Sequence, residues 1–262
     1  ILASVGEAYG TLFGTSYVRD ANGNVVVDAN GLPKISTTNK TLGKFTPDWT
    51  GGISNTFSYR SLSLSFLIDA SVGGSIFSNT NKTGKYTGVL ANTLSGRDAE
   101  HGGLWYYTAA MGNNVRLPES PSYSVSSDGL YYAQVNGQST RVYQDGIMVE
   151  GVTESGSKNE EVVSAEKYYH RIYSIAEANV YDASYVKLRE VALSYRLPRL
   201  WTQKLHLQEA SVTLTGRNLW TIYKSVPNID PESALTTGNA QGVEAYSLPT
   251  TRSFGVNLSV KF

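Results

Sequence analysis

Hydrophobic and polar residues alternate in several segments of the chain. In residues 253–262, apolar side chains occupy the even positions, and Ser, Gly, Asn and Lys occupy the odd positions. A helix would scatter both sets around its circumference, whereas a strand places them on opposite faces. The same alternation runs through residues 49–60, 61–70 and 210–217. Each of these segments is therefore predicted to be a β-strand.

Two further segments are predicted to be strands with irregular alternation. Residues 5–17 are rich in Gly. Between residues 185 and 197, the Val and Leu residues before Arg189 have even numbers and those after Glu190 have odd numbers. Because a β-bulge inserts one extra residue into a strand, it shifts this phase. We therefore expect a bulge near Arg189 and Glu190.

The connections between these strands alternate in length. A tight turn at residues 59–61 and a short connection after Arg196 contrast with long polar segments at 19–48, 73–182 and 225–248. Such long loops are uncommon in compact soluble domains. Short turns at one end and long loops at the other are typical of outer-membrane β-barrels. The connections therefore favour an antiparallel transmembrane β-barrel with long extracellular loops.

Six strands are too few to form such a barrel alone. Eight strands barely leave room for side chains inside, and open sheet edges are not tolerated in lipid. We therefore expect this chain to pair with strands from another segment. Its first residue is Ile1, and the residues after it carry no basic segment or cleavage motif, which we interpret as part of a longer protein.

Composition agrees with a barrel and argues against nucleic-acid binding. The polar faces carry mostly Ser, Thr, Asn and Gly, and charged residues make up 17% of the chain, against roughly 25% in soluble domains. Aromatic residues lie near the strand ends, for example Trp49, Tyr185, Tyr195 and Trp220, as expected for membrane interfaces. The formal net charge is zero, which argues against nucleic-acid binding.

The long segments contain two recognisable local signals. Turn residues at 20–24 and 28–31 flank three consecutive Val residues and predict a small hairpin. Residues 164–171 predict a short helix capped by Ser164. Residues 151–158 lack the order of a phosphate-binding loop, and residues 20–24 form a turn more readily than a calcium loop.

Further motifs occur in order along the chain, and they resemble SusC/RagA-type TonB-dependent transporters of Bacteroidetes. They are Gly43–Gly52 (GKFTPDWTGG), Gly73–Phe77 (GGSIF), Asp182–Pro198 (DASYVKLREVALSYRLP), Gly216–Thr221 (GRNLWT) with Asp230–Glu232 (DPE), and Leu248–Phe262 (LPTTRSFGVNLSVKF).

The resemblance implies that residues 1–262 are the C-terminal part of a 22-stranded barrel in the outer membrane, with the plug domain absent from this chain. It implies TonB-dependent import of nutrient oligomers, either glycans or peptides, and no enzymatic activity. The implied partners are the N-terminal barrel and plug segment, a SusD-like surface lipoprotein, the TonB-ExbB-ExbD complex, and outer-membrane lipid with lipopolysaccharide.

Candidate binding residues lie in the longest loop. Flat rings beside an acid could hold a sugar or peptide by stacking and hydrogen bonding. The alternative is that these rings pack the loop against itself or against a partner. The candidate ligand-binding residues are Asp98, Trp105, Tyr106 and Tyr107.

The last strand is a second candidate feature. The resemblance implies that its terminal aromatic residue is read during barrel assembly, whereas packing at the membrane interface is the alternative. This assembly signal comprises Phe254, Val256, Leu258, Val260 and Phe262.

No metal or cofactor site is expected. The chain has no Cys, which excludes disulfides and thiolate chemistry. Its His residues are far apart in the sequence and lack the spacing of metal ligands.

Other functions remain open from the sequence. The main alternative is a secreted β-sandwich carbohydrate-binding module, and a passive porin or a barrel-embedded enzyme is a further one.

Overall fold

A computed structural model describes residues 5–235, 238 and 241–262. The chain divides into two compact units. The first unit comprises residues 1–12, 43–77 and 181–262, and the second comprises residues 13–42 and 78–180.

Most regular structure in the described residues is β-strand, with three short helices. The strands are β1 (Thr11–Gly14), β2 (Lys40–Lys44), β3 (Trp49–Tyr59), β4 (Leu62–Val72), β5 (Ser75–Ser78), β6 (Leu104–Thr108), β7 (Asn114–Arg116), β8 (Tyr123–Val125), β9 (Tyr131–Val135), β10 (Gln138–Met148), β11 (Val162–Ser164), β12 (Val180–Asp182), β13 (Tyr185–Arg196), β14 (Glu209–Lys224), β15 (Val243–Glu244) and β16 (Ser253–Lys261). The helices are α1 (Asn79–Thr87), α2 (Ala165–Tyr173) and α3 (Arg199–Lys204), with 3-10 turns at Ala91–Thr93 and Ala176–Asn179.

A five-stranded antiparallel sheet dominates the first unit, in the order β16-β14-β13-β4-β3. Strands adjacent in this sheet are also successive along its chain path, as in an up-and-down barrel. A smaller sheet, β12-β5-β15, belongs to the same unit. The large sheet is open in this chain, because β3 and β16 are its two edges.

The register aligns side chains of one kind across all five strands. One cross-strand row is Phe57, Leu64, Leu193, Leu214 and Val256, and the next row on that face is Tyr59, Leu62, Tyr195, Val212 and Leu258. We call this side of the sheet the apolar face. The opposite side, the hydroxyl face, carries the rows Ser58, Ser63, Ser194, Thr213, Asn257 and Thr56, Ser65, Ala192, Thr215, Gly255.

Hydroxyl groups pair with each other along the hydroxyl face. The Ser58 and Ser63 hydroxyls lie 2.9 Å apart, and the Thr213 hydroxyl donates to Ser194 at 2.9 Å. Such cross-strand hydroxyl pairs stabilise neighbouring strands modestly.

The apolar face is exposed rather than covered by other parts of the chain. Phe254, Val256 and Leu258 are 79%, 73% and 66% exposed, and Leu62 and Leu64 are exposed as well. A contiguous apolar surface of this kind marks contact with a membrane or a partner. In a β-sandwich the same side chains would be buried against a second sheet.

The bulge expected between residues 185 and 197 is present in β13. The register shifts between Leu188 and Glu190 against both β4 and β14. Against β4, Arg189 is the extra residue, and β13 keeps its Val and Leu residues on the apolar face on both sides of it. The prediction from the change of phase is confirmed.

The strand predicted over residues 5–17 is wrong in extent and in pairing. Only Thr11–Gly14 is a strand there, and it pairs with β2 in a separate two-stranded sheet. Gly10 has φ +81, outside the range of an extended strand, so the backbone turns at this residue. The large sheet thus has five described strands rather than six.

The second unit has a sheet and two small apolar cores of its own. Its strands follow the order β7-β6-β10-β9-β8, and β11 pairs with β10. One core contains Trp105, Ala133 and Val142, and the other contains Ala165, Tyr169 and Ile172 of α2. The segment 73–182, which the sequence presented as a loop, is therefore largely folded.

Both local signals of the sequence are confirmed in this unit. Paired bridges join Arg19 to Val25 and Val27 to Pro33, as expected for the small hairpin. The Ser164 hydroxyl accepts a hydrogen bond from the Lys167 amide and caps α2. None of the described helices has the length and apolar character needed to cross a lipid bilayer.

Candidate functional site

The candidate aromatic residues of the longest loop lie on β6, and two of them are buried. Trp105 and Tyr106 are each 5% exposed. Trp105 packs against the rings of Tyr123 and Tyr131 at centroid distances of 4.8 and 5.4 Å. This arrangement is the alternative named above, in which the rings pack the loop against itself.

Tyr106 is fixed by a polar contact as well as by packing. Its hydroxyl donates to Asp145 at 3.0 Å, and its ring stacks on Tyr143. Burial and the neighbouring carboxylate of Asp145 raise the pKa of the Tyr106 hydroxyl. Tyr106 is therefore held in the sheet by its ring and its hydroxyl. Direct ligand contact by Trp105 and Tyr106 stays a prediction.

Asp98, by contrast, lies at the surface beside a cleft. The cleft has a volume of about 250 Å³, and its lining includes Arg97, Asp98, Tyr131, Arg141, Tyr143 and Asp145. Tyr107 is half-buried and packs against the Trp105 core. The structure therefore places the predicted acid at a cleft, with the predicted aromatic residues packed in the sheet that supports it.

The charged groups of this cleft are held in place by neighbouring groups. Asp98 accepts hydrogen bonds from the His101 ring at 2.7 Å and from the His101 amide at 2.9 Å, and these bonds lower the pKa of its carboxyl group. Arg97 donates to the Gly88 carbonyl at 2.7 Å. The guanidinium of Arg141 lies over the Tyr143 ring, 4.9 Å from its centroid.

A cleft that combines carboxylates, guanidinium groups and tyrosine rings can bind a polar, uncharged ligand through several hydrogen bonds. Arg141 and Tyr143 were not singled out from the sequence. Arg97 and Asp98 adjoin in the chain, whereas residues 141–145 come from β10, a strand that the sequence did not predict.

A second group of functional residues lies on the hydroxyl face of the large sheet, at the end where the long loops begin. It comprises Asp69, Lys187, Arg189, Asp230 and Glu232, and we call it the ionic cluster. Asp69 lies on β4 and both cations lie on β13, whereas the other two acids belong to the segment after β14.

Lys187 is the buried centre of this cluster. Its ammonium group lies 2.6 Å from Asp230 and 2.5 Å from Glu232. The side chains of Lys187 and Asp230 are only 4% and 8% exposed. A buried cation of this kind requires paired carboxylates, because burial removes its hydration.

Arg189 links the sheet to the loop. Its guanidinium donates to Asp69 at 2.7 and 2.9 Å, and it also pairs with Glu232. Tyr185 donates its hydroxyl to Glu232 at 2.9 Å. Tyr185 therefore belongs to the hydroxyl face, and its predicted place in an aromatic belt is corrected.

The two loop acids are ionised at any ordinary pH. Burial by itself would raise the pKa of Asp230, but hydrogen bonds from Lys187 and Thr250 lower it to about 2. Burial also opposes ionisation of Glu232, and hydrogen bonds from Arg189 and Lys187 outweigh it and lower its pKa.

The predicted assembly residues of the last strand form a continuous strip. Phe254, Val256, Leu258 and Val260 alternate on the apolar face of β16, and all are exposed together with Phe262. The part of the chain that the structure describes contains no group of three or more His, Cys, Asp or Glu placed to hold a metal ion.

Comparison with known proteins gives one curated relative. The chain is 26% identical to "TonB-dependent receptor P3" of Formosa agariphila over 263 residues, which cover 98% of this chain and 20% of that protein. The chain thus spans about a fifth of the length of the curated relative. No family model matches.

The solved structures that are similar to this chain include two of the RagAB system. The RagAB peptide importer in the closed-closed state matches with a TM-score of 0.49 and 17% identity, over 97% of this chain and 24% of that chain. The RagAB peptide transporter matches with a TM-score of 0.47 and 16% identity, over 96% of this chain and 22% of that chain. The chain is therefore similar along nearly its whole length to part of a TonB-dependent receptor.

Proposed function

We propose that residues 1–262 form the C-terminal part of the barrel of a TonB-dependent importer in the outer membrane. The observation that carries this proposal is the five-stranded sheet with an exposed apolar face and an opposite hydroxyl face. Acyl chains cover the apolar face, and the hydroxyl face lines a water-filled conduit. The similarity to a TonB-dependent receptor over 98% of the chain supports the same assignment.

The rest of the importer is supplied by other polypeptide segments. The edges β3 and β16 pair with the remaining strands of a 22-stranded barrel, because unpaired backbone groups are not tolerated in lipid. The plug lies in a segment outside this chain and transmits the work of the TonB-ExbB-ExbD complex. A SusD-like surface lipoprotein closes the extracellular side, and the cargo is a nutrient oligomer, either a glycan or a peptide.

The ionic cluster has a positional role in this importer. It ties the segment after β14 to the wall of the conduit at the long-loop end, through three acids and two cations. The cleft beside Asp98 takes part in recognition of the cargo. It supplies hydrogen bonds from fixed carboxylate and guanidinium groups, while Trp105 and Tyr106 keep its supporting sheet rigid.

Extraction and co-purification of the full receptor test the proposal. An assembled barrel requires detergent for extraction and migrates differently on a gel before and after heating. Mass spectrometry of the purified complex is expected to show a plug-bearing polypeptide, a surface lipoprotein and bound oligomer. A protein that is soluble without detergent would contradict the proposal and would favour a secreted β-sandwich module.

The cleft is tested separately by cargo binding. We expect Asp98→Asn to weaken the affinity of the full receptor for its co-purified oligomer about tenfold, because a hydrogen bond to a charged group contributes about 1.5–3 kcal/mol. Glu119→Gln is the matched control, since Glu119 is exposed and does not line the cleft. Equal affinity of both variants and the wild type would remove the cleft from the binding site.

A further inference from the structure

The end of the large sheet opposite the ionic cluster has an unusual charge. This short-turn end comprises residues 59–61, 196–209 and 260–262. Its basic residues are Arg60, Arg196, Arg199, Lys204 and Lys261, and its acidic residue is Glu209. The chain as a whole has 22 basic and 22 acidic residues. The excess of positive charge is therefore local.

Hydrogen bonds join the three segments of the short-turn end. The amide of Arg196 donates to the Ser61 carbonyl at 2.8 Å, and the amide of Gln208 donates to the Lys261 carbonyl at 2.8 Å. The amide of Leu197 donates to the Ala210 carbonyl at 2.9 Å. The cations thus belong to one continuous rim of the sheet.

Most of these cations have no carboxylate partner among the described residues. Arg196 pairs with Glu209 at 2.9 Å, and both side chains are exposed. Arg199, Lys204 and Lys261 make no ion pair with the parts of the chain that the structure describes. Their charges are available to an anionic partner.

Helix α3 adds exposed apolar side chains to this basic rim. Leu200, Trp201 and Leu205 are 73%, 59% and 61% exposed. Thr202 is buried and marks the side of the helix that faces the sheet. Successive helical residues are 100° apart, so Trp201 and Leu205 share one flank of α3, whereas Arg199 and Gln203 share the other.

A short amphipathic helix with exposed Trp and Leu beside Lys and Arg fits the boundary between lipid headgroups and acyl chains. The apolar face continues to this boundary, because the row of Tyr59, Leu62 and Tyr195 lies where the sheet meets the short turns. In a barrel, the end with short turns faces the periplasm. The leaflet at that end consists of phospholipids.

We propose that α3 and the basic residues around it bind the headgroups of anionic phospholipids in the periplasmic leaflet. Trp201 and Leu205 enter the leaflet at headgroup depth, and Arg199 and Lys204 contact lipid phosphates. This inference rests on the proposed function, since it needs the apolar face to lie in the membrane.

The test uses the full receptor in nanodiscs that contain equal amounts of phosphatidylglycerol and phosphatidylcholine. Native mass spectrometry of the released receptor measures which lipid stays bound. We expect the wild type to retain phosphatidylglycerol preferentially, and Arg199→Gln/Lys204→Gln to lower this preference by roughly tenfold to thirtyfold. The matched control is Lys40→Gln/Lys167→Gln, which removes two exposed cations that do not belong to the short-turn end.

The position of α3 is measured with a fluorescent label. Trp201→Cys and Gln203→Cys each introduce one labelling site on opposite flanks of the helix, in a chain that has no other Cys. Lipids that carry a quencher on the upper part of the acyl chain are expected to quench the label at position 201 strongly and the label at position 203 weakly. No quenching at either position would overturn the inference and would indicate solvent or a protein partner.

The two proposals fail in different ways. A receptor that does not insert or shows no heat-dependent gel shift contradicts the proposed function. A receptor that inserts normally but shows no preference for phosphatidylglycerol, or the same preference in the charge variant, contradicts only the lipid site.

Discussion

Replacing the buried lysine of the ionic cluster is the most direct test of how the segment after β14 is held. Lys187→Met removes the ammonium group and keeps a side chain of similar length. Asp230 and Glu232 would then remain close together without the cation that lies 2.6 and 2.5 Å from them in the structure. The variant therefore leaves buried negative charge without its main partner.

The size of the effect follows from the contacts that remain. Removing one member of a buried ion pair costs about 3–5 kcal/mol. Asp230 keeps its hydrogen bonds from Thr250 at 2.5 Å and from the Glu232 amide at 3.0 Å. Glu232 keeps Arg189 and Tyr185. We therefore expect the lower value, about 3 kcal/mol, which is roughly 150-fold in the equilibrium for release of the segment.

Hydrogen exchange of residues 225–235 in the full receptor measures this release. The expected result is a roughly 150-fold loss of protection at neutral pH, with the gel shift of the assembled barrel retained. The matched control is Lys34→Met, which breaks the exposed ion pair with Glu154 and is expected to change stability by less than about 1 kcal/mol. Unchanged protection of residues 225–235 in Lys187→Met would refute the role assigned to the cluster.

Four further predictions concern pH, packing and assembly. The pKa of Asp230 is lowered to about 2. Its contribution to holding the segment after β14 is therefore complete above about pH 4 and is lost as the pH falls toward 2. Hydrogen exchange measured across this range is expected to show falling protection of residues 225–235. Burial lowers the pKa of Lys85 to about 8, so the folded state binds this proton less tightly than the unfolded chain does. Protection of α1 from hydrogen exchange should therefore rise between pH 8 and about 10. Protection that does not change with pH over this range would contradict the prediction. Trp105→Ala should destabilise the second unit by about 3–5 kcal/mol, whereas Met111→Ala, at an exposed residue, should leave its thermal unfolding unchanged. Deletion of Phe262 should lower the amount of heat-modifiable barrel in the membrane, while Phe262→Tyr should retain it; equal amounts after the deletion would exclude a role in assembly.

The long strands could be predicted from the sequence because alternation there is enforced by two different surroundings. Leu64 and Val256 face one side and Ser63 and Asn257 face the other, and a shift by one residue would exchange every side chain between the two. The change of phase in β13 predicted the bulge for the same reason. What the pattern could not distinguish was a strand of the sheet from the Gly-rich segment 5–17, where few side chains define a face.

Apart from the small hairpin and helix α2, the second unit was not predicted, because its elements are short and its cores are small. Helix α1 has the sequence NTNKTGKYT, which contains Gly and several Thr and Asn residues that favour helices weakly. It forms because the Ser78 hydroxyl caps its first turn, Gly88 ends it in the left-handed conformation, and Tyr86 stacks on His170 of α2 at 4.2 Å. All three causes are local or tertiary contacts that no hydrophobic period reveals.

The candidate site was predicted only in part, and the reason is similar. Asp98 was identified because it lies near aromatic residues in the sequence. Burial decides which of these residues face the cleft, and the alternation of residues in β6 does not reveal which side chains are buried. The ionic cluster joins residues that are 43 and 120 positions apart in the chain. Asp230 and Glu232 were visible only as a motif, and their partners required the register of β13.

The bulge at Arg189 explains how one strand serves both the membrane and the ionic cluster. Regular alternation would let a strand present one side chain of every two to the hydroxyl face. By inserting Arg189, β13 presents Lys187, Arg189 and Glu190 on that face within four residues, while Leu188 and Val191 stay on the apolar face. Lys187 and Arg189 hold the loop acids, and Glu190 accepts a hydrogen bond from Arg217 of β14 at 2.9 Å. The irregularity that interrupts the sequence pattern is therefore what concentrates charge at the end of the sheet where the long loops begin, without moving charge into the face that we assign to lipid.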